Sequence, residues 1–231
     1  VIPVQLAAEP PAFDATVRVP GNRALYEMTG RPVPEAYKRT RGRKHAQRKD
    51  ANGKLITDPA ELPAKVLPDY WTSALDDLAS AYAHICAFTC FRIHEVTGAR
   101  SVDHMVPKSV AHDRAYEWDN YRLACSAVNA RKNDRVMLLD PFDVAPGWFE
   151  LEFAGGQVLP GAAVRDDVGL TTWLWAVIDL LALNQPSHRN RRLADVRLYR
   201  DRHIDFAHLA WTSPFVAREL QRQGQLLPAR I

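Results

Sequence analysis

The tightest constraint on the fold lies between residues 98 and 134. Residues 98–105 carry a strand pattern that ends near Pro107, since proline cannot donate to a ladder. Residues 108–118 read as a loop or short helical connection. From Asn120 to Cys125 the chain alternates again. Tyr121, Leu123 and Cys125 fall on one face, and Asn120, Arg122 and Ala124 on the other. Ser126 then stands where an N-cap belongs, before a helix running to about Asp134. Strand, loop, strand and helix make one compact unit, and it holds Asp103, His104, Asn120, Asn129 and Lys132.

The remaining sequence is expected to wrap this unit, giving an α+β protein. Residues 1–36 are rich in proline (Pro3, Pro10, Pro11, Pro20, Pro32, Pro34) and read as an extended surface arm with little helix. Residues 38–54 form a basic block with Lys38, Arg39, Arg41, Arg43, Lys44, Arg48, Lys49 and Lys54 against Asp50 alone. It is either a solvated loop or a phosphate-contacting segment. Trp71, Leu75, Leu78, Tyr82 and Ile85 mark an amphipathic helix over 71–86, with Ser73 and Asp76 in a capping-box pattern and the aromatics read as core. Phe149–Phe153 and Val158–Pro160, around Gly155-Gly156, predict a hairpin. Three helices follow: an apolar one over 170–183, an arginine-rich one over 187–207 with Leu193, Val196, Leu198 and Ile204 inward, and a last one over 214–223. Three segments result: an arm (1–70), a core with its preceding helix (71–137) and a C-terminal extension (138–231).

Composition narrows the class further. At 47% hydrophobic and 25% charged, the chain can bury a sizeable core. A net charge of +3 is a weak bias toward nucleic acid, so any such surface must come from local clusters. Three cysteines do not make a secreted disulfide scaffold. Val1 to Gln5 lack the basic and apolar regions of a leader, and the apolar run Trp173–Leu183 is too short to span a bilayer. A cytoplasmic protein without membrane contact is expected.

The chemistry resides in the compact unit. Hydrolysing a phosphodiester needs an activated water, charge neutralisation at phosphorus and help for the leaving oxygen. His104 is the candidate base, because an imidazole titrates near working pH. Asp103 is its neighbour. On a regular strand the two side chains point to opposite faces, so one of them is expected to leave strand geometry, as at a bulge or strand end.

The set Asp103-His104 with Pro107, Asp119-Asn120 before an apolar strand, and Ser126-x-x-Asn129-x-x-Lys132 on the helix resembles the HNH, or ββα-metal, nuclease superfamily. The resemblance covers residues 86–134 best, and its helix is similar to that of the HNH domain in RNA-guided CRISPR effectors. It implies that His104 faces the attacking water, that Asn120 fixes the loop carrying the base, and that Asp103 and Asn129 hold the metal. It further implies DNA cleavage leaving a 5′-phosphate and a 3′-hydroxyl. Two oxygen donors suit Mg²⁺ or Mn²⁺ better than zinc. Arg131 and Lys132, with Arg41, Arg43 and Lys44, are the candidate DNA contacts. A catalytically inactive relative, holding nucleic acid or acting as a scaffold in a larger complex, is the alternative.

Cys86 and Cys90 stand where many members of that superfamily carry a zinc-binding pair, but three residues separate them and Val128 replaces the last thiolate. No zinc is expected. The set Cys86, Cys90, Cys125 and His94 is the alternative. His112 reads as a surface residue, and His45, His84, His188, His203 and His208 show no ligand spacing. Over residues 138–200, Leu138-Leu139-Asp140-Pro141, the hairpin and the leucine-rich and arginine-rich helices resemble HNH proteins of bacterial anti-phage and retron systems. That likeness implies a defence nuclease working beside an ATPase or sensor subunit.

Overall fold

A computed structural model of the chain describes residues 2–39, 41–136 and 139–228; Leu138, part of the C-terminal resemblance, lies outside them. The protein is α+β. A π-helical turn, Asp14–Arg18, leads into α1 (Val19–Met28), and the 3-10 segment Tyr70–Ala74 leads into α2 (Leu75–Ala81). Strands β1 (Arg100–His104) and β2 (Tyr121–Cys125) are followed by α3 (Ser126–Lys132). Strands β3 (Phe149–Glu152) and β4 (Gln157–Pro160) precede α4 (Val168–Leu180), α5 (Pro186–Arg200), α6 (Phe206–Thr212) and α7 (Pro214–Arg222). One cluster of buried apolar residues runs from Phe13 to Leu220, so the three segments read from the sequence share a core.

The N-terminal region corrects the expectation of an extended arm. Phe13, Val17, Ala24, Leu25 and Met28 are all buried. The edge of Phe13 meets Trp118 at 5.6 Å and Tyr121 at 5.7 Å between ring centroids. Pro20 lies inside a helical run that is continuous from the π-helical turn Asp14–Arg18, and that turn in the preceding residues is where the hydrogen bond a proline cannot make is accommodated. Gly21 admits the Tyr116 ring against the helix backbone, because a Cβ there would lie 2.2 Å from the ring. The prolines therefore punctuate a buried helical segment. Apolar spacing along 13–28 carried that information and proline density obscured it.

Both sheets have two strands. β1 and β2 pair antiparallel with Asp103 opposite Arg122 and His104 opposite Tyr121, while β3 and β4 form the hairpin expected from the sequence. The Asp103/His104 pair stays in regular register with no bulge, and His104 is the last residue of β1, the strand-end position that was the other expectation. Helix α3 starts at Ser126 itself, without a side-chain cap, and stops at Lys132 because Asn133 turns to positive φ (49°). The helix read over 71–86 is a 3-10 turn and a short α-helix, ending where Ala83 and His84 both take positive φ. Helices α4 and α7 fall close to their expected places, but the helix read over 187–207 ends at Arg200 and a separate, unanticipated α6 follows it. In α5, however, Arg192 is buried, donating to the carbonyls of Gly156 and Leu183, and Leu198 is exposed. No helix among the described residues is long and apolar enough to cross a membrane.

Candidate functional site

A cleft of about 490 Å³ opens against β1, α3 and the loop after β1, and it brings Asp103, His104, Lys108 and Asn129 together. Ser101, Val102, Asp103 and His104 are consecutive, and all four line it. In a two-stranded sheet β1 has one unpaired edge. A cleft along that edge is reached by side chains from both faces, so Asp103 and His104 share it without a bulge.

His104 is buried, and its imidazole is fixed on three sides. Nε2 lies 2.9 Å from the carbonyl of Ala115, so that nitrogen carries the proton and Nδ1 is left as the acceptor. The Tyr121 hydroxyl donates to the same carbonyl at 2.9 Å. The rings of Trp71 and Tyr121 stand nearly perpendicular to the imidazole, at centroid distances of 5.1 and 5.2 Å. Burial, with the nearby Lys108 charge, pushes its pKa down to about 3, so the ring is neutral at physiological pH and does not titrate near working pH as the sequence led one to expect.

Asn120 is buried just before β2 and grips the loop after His104. Its Oδ1 accepts from the Val106 N–H at 2.7 Å, and its Nδ2 donates to the carbonyls of Val106 (3.1 Å) and Arg114 (2.9 Å). An amide is the side chain that can offer donor and acceptor to the N–H and C=O of one residue at once.

Asp103 is 1% exposed and lies beneath the cleft. Its Oδ1 is 3.0 Å from the ammonium of Lys132, which is 0% exposed and also donates to the His104 carbonyl at 2.6 Å. Burial pushes the Asp103 carboxyl above the ordinary range, and the cations of Lys132 and Arg122 oppose that shift. Asp103 Oδ2 is buried with no hydrogen-bond partner in the structure. An orphaned carboxylate oxygen is costly unless something of opposite charge meets it. Asn129, half-buried on α3, donates Nδ2 to the Val102 carbonyl at 3.2 Å, leaving Oδ1 as its free coordinating atom. Asp103 Oδ2 and Asn129 Oδ1 are two hard oxygen donors, a set that fits Mg²⁺ or Mn²⁺ completed by water and phosphate. Among the described residues no group of three or more His, Cys, Asp or Glu side chains is placed to hold a metal.

The sequence placed Lys132 on DNA, and the structure corrects this: an ammonium enclosed by Asp103 and a backbone carbonyl cannot reach a duplex. Arg131 is exposed and donates to Gln185 Oε1 at 3.0 Å. Arg41, Arg43 and Lys44 are exposed and make no ion pair among the described residues, while Arg39 in the same block is tied to the buried Glu27 at 2.9 Å. In the C-terminal cluster, Arg189 donates to Gly155 and Arg191 pairs with Asp195.

His112 is buried, not at the surface, with Nε2 2.6 Å from the Leu62 carbonyl. Cys86 and Cys90 form a tight turn in which the Cys90 N–H donates to the Cys86 carbonyl at 2.9 Å, and the Cys125 N–H approaches Cys86 Sγ at 3.4 Å. His94 Nδ1 accepts from the Val96 and Thr97 N–H groups within its own turn. Val128 is fully buried in the core.

Two neighbours of His104 were given no site role by the sequence reading. Trp71 packs against the core as expected, and it also abuts the imidazole. Lys108, four residues past His104, lines the cleft with its ammonium 3.7 Å from the Trp71 ring centroid. The only signal for Lys108 was its position beside Pro107. No protein-family model matches the chain, and no curated protein matches it.

Proposed function

We propose that this chain is a metal-dependent endonuclease of the HNH type that hydrolyses DNA phosphodiester bonds. The observation that carries the reading is the buried, unpartnered Oδ2 of Asp103 in the same cleft as a neutral imidazole whose Nδ1 is the free acceptor. Asp103 and Asn129 would hold the divalent cation, which when bound neutralises phosphate charge and eases departure of the leaving oxygen. His104 accepts a proton at Nδ1 from the attacking water, and the Ala115 carbonyl holds the opposite nitrogen in its protonated form. Asn120 fixes the loop between His104 and Arg114, which keeps the imidazole and its carbonyl partner in register. Lys132 holds Asp103 Oδ1 and the His104 carbonyl together, joining ligand and base.

Work beside an ATPase or sensor subunit of an anti-phage system is supported by the sequence resemblance alone, the DNA path by that resemblance with the exposed Arg41, Arg43 and Lys44, and a cytoplasmic setting by the composition of the sequence. The test is nicking of supercoiled plasmid with Mg²⁺ or Mn²⁺, against EDTA and against H104A. Metal-dependent nicking that falls about 10²–10⁴-fold in H104A is the expected result. A protein that holds DNA but leaves the plasmid intact in every metal would place it in the non-catalytic class instead.

A further inference from the structure

Most cations drawn into this protein have been answered. Lys132 is held by Asp103, Arg122 by Asp140, and Arg192 by two backbone carbonyls. Lys108 is the contrast. It is half-buried, lines the cleft, and makes no ion pair among the described residues. What it has is the face of Trp71, at 3.7 Å, and the more distant charge of Asp69, which forms no ion pair with it. A cation over an indole face gains only part of what it loses in leaving water. The arrangement confines the ammonium to one place without neutralising it.

That place is defined by the same ring that abuts His104. Trp71 meets the imidazole at 5.1 Å and carries Lys108 on its face, so base and cation share one rigid neighbour. Across the cleft floor, Asp103 is matched by Lys132. The positive charge of Lys108 is therefore not needed to balance Asp103, and it remains free for an anion that enters. The geometry points to Lys108 as the residue that holds the substrate phosphate: its ammonium takes a non-bridging oxygen of the phosphodiester presented to His104. This rests on the nuclease reading. Lysine suits the role as a compact charge with three donors, which can follow a phosphoryl oxygen without a fixed fork.

The test uses the full chain with Lys108→Gln and Lys108→Arg. In EDTA, anisotropy of a labelled DNA duplex over a salt series reports phosphate contacts without chemistry. K108Q is expected to flatten log Kobs against log salt by about 0.9, the value for one lost contact. In Mg²⁺, its single-turnover cleavage is expected to fall about 10²-fold. Its half-saturating Mg²⁺ should stay within about threefold of wild type, because Lys108 does not touch the metal ligands. K108R should keep the wild-type salt slope, since the charge is retained, and cleave faster than K108Q but more slowly than wild type, since a guanidinium fork replaces the compact ammonium. An unchanged slope and rate in K108Q overturn the proposal. So does a K108R protein whose salt slope is as flat as that of K108Q, because the retained charge would then make no phosphate contact. If wild-type protein cleaves nothing in any metal, the nuclease reading falls, and the salt slope alone decides whether Lys108 contacts a phosphate.

Discussion

Replacing Lys132 with methionine isolates the strongest electrostatic contact beneath the site. Lys132 is 0% exposed, Asp103 is 1% exposed, and their charged atoms are 3.0 Å apart. Methionine is close to the lysine stem in volume, so little cavity is created. What changes is that Asp103 loses its counter-ion while its Oδ2 already lacks a partner. Removing one member of a buried ion pair costs about 3–5 kcal/mol. For a domain of this size, each kcal/mol lowers Tm by about 2–4 °C, so K132M should melt roughly 6–20 °C below wild type. The assay is thermal unfolding by circular dichroism at neutral pH in metal-free buffer. Two further measurements separate charge from packing. The double variant D103N/K132M should recover much of the loss, because a neutral amide does not need the ammonium. Millimolar Mg²⁺ should raise the Tm of K132M more than that of wild type, as the cation would supply the missing charge. A K132M protein within about 1 kcal/mol of wild type, with no coupling in the double variant, would refute the reasoning.

Two other outcomes follow from the same geometry. The depressed pKa of His104, about 3 in the fold against 6.5 when unfolded, means the unfolded chain binds a proton that the folded chain refuses. Its contribution is complete above the unfolded value and is lost as pH falls, by about 2 kcal/mol between pH 7 and 5; H104Q should show a correspondingly shallower acid limb in urea titrations, and an unchanged limb would contradict the assignment. Replacing Arg41, Arg43 and Lys44 with alanine should reduce DNA affinity and flatten its salt dependence by about 0.9 per lost contact. Equal slopes for that variant and wild type would make the block a solvated loop.

Local signals carried much of the architecture. The β1–β2–α3 unit, the β3–β4 hairpin and the C-terminal helices are built from short-range pattern, with alternation for strands, apolar stripes for helices, and Asn133 or proline at the ends. Asp103, His104 and Asn129 were legible because they sit within one continuous stretch, whereas Lys108 in the same stretch carried no pattern that marked it. Tertiary structure decided what those side chains are bound to. Lys132 is a helical lysine in any sequence reading, and only the docking of α3 on β1 brings it to Asp103 and takes it out of water. Trp71 and Lys108 acquire meaning from a contact between segments far apart in the chain. His112 is buried because the carbonyl of Leu62, fifty residues earlier, reaches it. The N-terminal prolines read as extended chain until the core supplies partners for Phe13, Val17 and Leu25. Pattern reports which face of an element is apolar, whereas the partner a buried charge or aromatic ring will meet depends on how the elements pack, and that information is distributed over the whole chain.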